Sequence, residues 1–72
     1  MVAYTKRMRD LREDHDLTQK QIADKLGMKQ QQYQAYESGA VQLPIAKLQD
    51  LCAFYNVSAD YILGLTDDPR RR

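Results

Sequence analysis

The stretch from Leu17 to Gly39, LTQKQIADKLGMKQQQYQAYESG, decides the fold. Its clearest signal is Thr18 followed three residues later by Gln21, a capping box in which each side chain satisfies a backbone N–H of the other. Ile22, Ala23 and Leu26 then recur at helical spacing and predict a helix from about Gln19 to Leu26. Gly27 stands where a helix end needs a left-handed residue, and the pattern resumes almost at once with Tyr33 and Tyr36 on one face. Ser38 and Gly39 close this next helix, so two short helices flank a tight turn.

Working outward, Tyr4, Met8 and Leu11 fall at i, i+4 and i+7 and predict a first helix from Tyr4 to about Asp14. On the other side, residues 40–43 read as a loop before Pro44, which suits a helix start because its missing N–H is an orphan there anyway. Ile45, Leu48, Leu51, Cys52 and Tyr55 form the inward stripe of a fourth helix that Asn56 ends. Ser58 offers an N-cap for a one-turn fifth helix over about Ala59 to Leu63, and Gly64 terminates it. No stretch alternates apolar with polar long enough to read as a strand, so the expected class is all-α. The expected organisation is one domain over residues 1–66 and a frayed, flexible basic tail over 67–72.

A single domain of 72 residues buries only about 60% of its unfolded surface and needs help from disulfides, metal, a partner or well-packed helices. One cysteine excludes an internal disulfide, and His15 with Cys52 falls short of the four ligands of a structural zinc site, so no metal or cofactor is expected. Nor does the lone histidine sit in a motif that would give it a nucleophile and an orienting group, so an enzyme is not expected. No apolar run approaches the roughly 20 residues of a membrane span, and the N-terminus lacks the apolar core of a signal peptide, so a cytoplasmic protein is expected. The net charge of +1 arises in residues 67–72, where Arg70, Arg71 and Arg72 outweigh Asp67 and Asp68, because residues 1–66 carry eight basic and eight acidic groups. Charge balance alone therefore points to no nucleic acid.

The pattern as a whole resembles the Cro and phage-repressor type of helix-turn-helix domain, the XRE family. The likeness is carried by Leu11-Arg12, Leu17-Thr18-Gln19, Ala23, Leu26-Gly27, Glu37 and Gly39, Leu48, Val57-Ser58, and Asp60-Tyr61-Ile62-Leu63-Gly64, and it covers about residues 4 to 65. It implies a compact five-helix, lambda-repressor-like fold and a sequence-specific regulator of phage or bacterial origin. Such a protein, most simply a repressor, would occupy a double-stranded DNA operator as a homodimer, at least on DNA. The chain departs from the family at Lys29, where Ser or Thr is usual, at Asp16, where Gly is common, and at the uncharged loop residues Ala40 and Val41. The uncharged loop supports an alternative, a protein-interaction module such as an antitoxin or adaptor with auxiliary DNA binding.

The resemblance makes the third helix, about residues 30–38, the reading helix, with Lys29, Gln30, Gln31 and Gln34 facing bases. A glutamine amide donates and accepts together and so matches the N6 and N7 edge of adenine in the major groove. Without the motif, the same glutamines would be an ordinary solvated helix face. Phosphate contacts would come from Thr18, Gln19, Lys20, Gln32, Ser38 and Gln42, with a plain cap at Thr18 and a solvated Lys20 as the bland readings. Arg12 and Glu37 would pair across the first and third helices in a structural role. Tyr33, Tyr36, Tyr55 and Tyr61 read as core or core-edge residues. Tyr61, Ile62, Leu63 and Leu65 cannot all share one core stripe on a one-turn helix, so Tyr61, Ile62 and Leu65, with Tyr55, are the expected dimer contact.

Overall fold

The computed structural model describes residues 3–70 and contains five helices: α1 (Tyr4–Asp14), α2 (Gln19–Lys25), α3 (Gln30–Ser38), α4 (Ile45–Tyr55) and α5 (Ala59–Ile62), with no strand among the described residues. Each start and stop has a local cause. At α2 the capping box forms in full: Thr18 Oγ1 accepts from the Gln21 backbone N–H at 3.1 Å, and Gln21 Oε1 accepts from the Thr18 N–H at 2.8 Å. Ser58 caps α5 in the same way by accepting from the Tyr61 N–H at 3.0 Å. α3 starts at Lys29 without a side-chain cap.

Four of the helices end in one device. The N–H two or three residues past the helix reaches back to a carbonyl five positions earlier, as Leu17 does to Arg12, Met28 to Ala23, Val57 to Cys52 and Leu65 to Asp60, at 2.9 to 3.1 Å. The bend places one residue in the left-handed region. At Gly27 (φ +68°) this conformation is free of a Cβ penalty and sets the turn between α2 and α3. Asp16 (φ +56°) and Asn56 (φ +57°) adopt it with a side chain present.

α2 packs on α3, α1 on α3 and α5, and α4 on α5. Ile22, Ala23 and Tyr33 fill the junction of the two motif helices, and Met8, Leu11, Tyr36, Leu51, Cys52, Tyr55, Val57 and Ile62 complete the buried core. Ala23 is fully buried, which is what a close helix crossing demands of that position.

The structure corrects three expectations. Ile45 opens α4 but is 76% exposed, because the first residue of the helix lies beyond the reach of the core that Leu51, Cys52 and Tyr55 enter. Tyr55 and Ile62, expected at a dimer contact, are core residues. Tyr55 sits three and four positions after Cys52 and Leu51 and shares their inward stripe, while Ile62 is the side chain by which the short α5 is pinned to the body. Tyr61 is only partly exposed, with the Arg7 guanidinium 4.1 Å over its ring, whereas Leu63 and Leu65 are turned outward.

The third correction concerns the tail, which over residues 66–69 is hydrogen-bonded to the domain. Arg7 Nη2 donates to the Thr66 carbonyl at 3.4 Å and pairs with Asp67 at 2.6 Å, and the Ser58 N–H donates to the Pro69 carbonyl at 3.0 Å. Arg70 turns back on Asp68 at 2.7 Å. The remaining arginines of the expected basic tail, Arg71 and Arg72, lie outside the described residues.

Candidate nucleic-acid interface

α3 has two faces. Tyr33, Tyr36 and Glu37 are buried, while Gln30, Gln31, Gln32 and Gln34 are exposed, with Lys29 exposed just ahead of them. Gln30, Gln31 and Gln34 stand at i, i+1 and i+4, within an arc of about 100° on a helix of 3.6 residues per turn, so their amides project from one side. The residues expected to meet a backbone flank this side. Thr18, Gln19 and Lys20 begin α2, Ser38 is the last residue of α3 and Gln42 lies in the loop beyond it; all are exposed except Gln19, which is half-buried.

Several of these side chains already have partners within the chain. Thr18 spends its hydroxyl on the α2 cap, Lys20 pairs with Asp24 at 3.1 Å on the open surface, and Gln32 Nε2 donates to the Tyr36 hydroxyl at 3.3 Å. Ser38 Oγ donates to the Ala35 carbonyl at 3.2 Å and accepts from the Ala40 N–H at 3.3 Å, which shapes the turn out of α3. An exposed pair such as Lys20–Asp24 is weak and yields to a better partner. Arg7 is committed to Asp67 and to the Tyr61 ring.

Behind the exposed face, Arg12 and Glu37 tie α1 to α3. Arg12 Nε donates to Glu37 Oε2 and Nη2 to Oε1, both at 3.0 Å, while Nη1 donates to the Leu17 carbonyl at 2.9 Å. The side chains are 14% and 6% exposed. Burial works to raise the Glu37 pKa, yet the hydrogen bonds from Arg12 prevail and hold it below the usual carboxylate range. Nearby, burial pushes the Tyr55 phenol up to about 12 and raises Tyr33 as well, so both rings stay neutral around the ion pair. A further link was not foreseen from the sequence: Gln19 Nε2 also approaches Glu37 Oε1, at 3.4 Å. Eighteen positions separate the two, and no local pattern announces it.

A capped helix, a left-handed glycine turn and a second helix with a polar outer face, locked from behind by a buried ion pair, constitute a helix-turn-helix. A family model described as helix-turn-helix matches residues 8–62. The chain belongs to the XRE-type helix-turn-helix family. It is similar to YobD of Bacillus subtilis (strain 168), an uncharacterized HTH-type transcriptional regulator, at 48% identity over 92% of this chain and 59% of the relative. It is also similar to RstR of Vibrio cholerae, the transcriptional repressor of cryptic phage CTXphi, at 33% identity over 75% of this chain and 49% of that protein. The chain thus spans about half the length of these curated relatives. No solved structure gives a significant match.

Proposed function

We propose that this helix-turn-helix domain binds double-stranded DNA in a sequence-specific way and regulates transcription, as a repressor that occupies its operator. The observation that carries the reading is the outer face of α3, where Gln30, Gln31 and Gln34 project together from a helix fixed by the buried Arg12–Glu37 pair. In the major groove these amides read base edges, adenine above all, with Lys29 beside them. Thr18, Gln19, Lys20, Gln32, Ser38 and Gln42 flank the reading face and set the register on the phosphates. The names of the two relatives, a transcriptional regulator and a phage repressor, support the same reading.

One recognition helix covers only a few base pairs, so two copies are needed, with half-sites about 34 Å apart. The contact between copies uses Leu65, which is 61% exposed, with Leu63 and the outer edge of Tyr61. In the cell, such a regulator works in the cytoplasm, where its DNA is.

A second reading, a protein-interaction module such as an antitoxin or adaptor, is favoured by one observation. Val41, in the loop past α3 where a DNA contact would profit from charge, is 50% exposed, and Ile45 at the start of α4 is more so. Selection of the purified protein against fragmented genomic DNA separates the two. The DNA-binding reading expects one enriched site with a repeated or palindromic half, and retention of all fragments alike or of none would favour the protein-interaction module.

A further inference from the structure

Glu37 is the buried charged residue among the described ones, and its carboxylate has a second task besides meeting Arg12. Oε1 accepts from Arg12 Nη2 at 3.0 Å and lies 3.4 Å from Gln19 Nε2, the side-chain amide at the first residue of α2. A carboxylate only accepts, so the amide must turn its NH2 toward Glu37 and its oxygen away. A DNA phosphate oxygen also only accepts, and it needs that same NH2. The nitrogen carries two hydrogens: one spent on Glu37 leaves one, held in the amide plane, for a second acceptor. Gln19 is partly exposed, so such an acceptor can approach from solvent.

On the reading that Gln19 touches the DNA backbone, we infer that Glu37 is the positioning residue for that contact, holding the Gln19 amide with its nitrogen rather than its oxygen ready for a phosphate. Without Glu37, rotation about the terminal torsion presents oxygen as readily as nitrogen, and freezing the side chain is left to the moment of binding. A bare carboxylate so near the backbone would repel it. The two parallel bonds from Arg12 cancel that charge, which makes the ion pair a condition of the contact as well as a brace of the fold.

A double-mutant cycle tests this on the whole chain with a random-sequence DNA duplex as probe, each variant first shown by circular dichroism to be folded at the assay temperature. Glu37→Gln leaves a single acceptor oxygen, which Arg12 claims. It should lower affinity about fivefold, the worth of one net hydrogen bond, in the otherwise unchanged protein and not further in Gln19→Ala. Equal losses in both backgrounds would mean that Glu37 acts only through the fold and would overturn the inference. An unchanged affinity for Gln19→Ala alone would remove the backbone contact itself, a separate failure that the same cycle reveals. Should Glu37→Gln not fold, the side-chain amide resonances of Gln19 in the unmodified protein decide. One of its two Nε2 protons should be displaced downfield from those of exposed Gln30 and Gln31, and coincidence with them would contradict the positioning role.

Discussion

Arg12 and Glu37, twenty-five positions apart, meet face to face through two 3.0 Å hydrogen bonds, one from Nε and one from Nη2, in a site that leaves the carboxylate almost no contact with water. Such a pair adds little net stability over an apolar replacement, but losing one member strands the other. Glu37→Ala should therefore destabilise the domain by about 3 kcal/mol, read by urea or thermal denaturation. A variant that melts like the parent would contradict the burial of the pair.

The same pair gives the stability a pH dependence of definite sign. Glu37 titrates below its unfolded value, so its contribution is complete above the unfolded carboxylate range, about 4.3, and is lost as pH falls below it through the depressed native value. Denaturation of the parent should weaken over that acid window more steeply than that of a folded Glu37→Gln variant. Parallel acid profiles would show that another carboxylate governs the loss.

Asp16 occupies a left-handed position at the end of α1, with its Cβ strained and its charge at the negative end of the helix. Asp16→Gly should stabilise the domain by about 1 kcal/mol, a rise in Tm of roughly 5 °C for a chain of this size. A lower Tm would mean that the carboxylate provides a compensating bond.

Ile62 and Leu65, three positions apart, separate folding from association. Ile62→Ala opens a hole in the core and should cost about 2 to 5 kcal/mol. Leu65→Glu changes an exposed position and should leave the melting curve in place while abolishing cooperative binding to a two-half-site operator. Sedimentation showing two copies of Leu65→Glu on the operator at undiminished affinity would place the dimer contact elsewhere.

For Lys20, a phosphate contact predicts a uniform loss on all DNA sequences in Lys20→Ala, with the dependence of log affinity on log salt flattened by about 0.9. An unchanged slope would leave Lys20 to its exposed pair with Asp24.

Much of the fold was legible because its determinants are local. Thr18 and Gln21 announce the start of α2, Gly27 its turn, and the spacing of Tyr33 and Tyr36 the buried side of α3, all within a few residues of what they specify. The outcome at Ile45 shows the limit of periodicity, since spacing gives a side chain's direction but not whether a neighbour waits there. Tyr55 and Ile62 show the same limit in reverse: crowding of apolar residues at α5 implied that some face outward, but only packing decided that Leu63 and Leu65 do so. The anchoring of residues 66–69 by Arg7 and the Ser58 N–H, and the link from Gln19 to Glu37, depend on contacts between distant parts of the chain and leave no mark in local sequence.

The central claim is that α3 reads base edges with Gln30, Gln31 and Gln34, and the most direct measurement compares each alanine variant with the parent on the enriched operator and on random-sequence duplex. The account predicts a loss of about 1 to 3 kcal/mol per substitution on the operator and almost none on random DNA. Equal losses on both duplexes, or no loss on either, would contradict it.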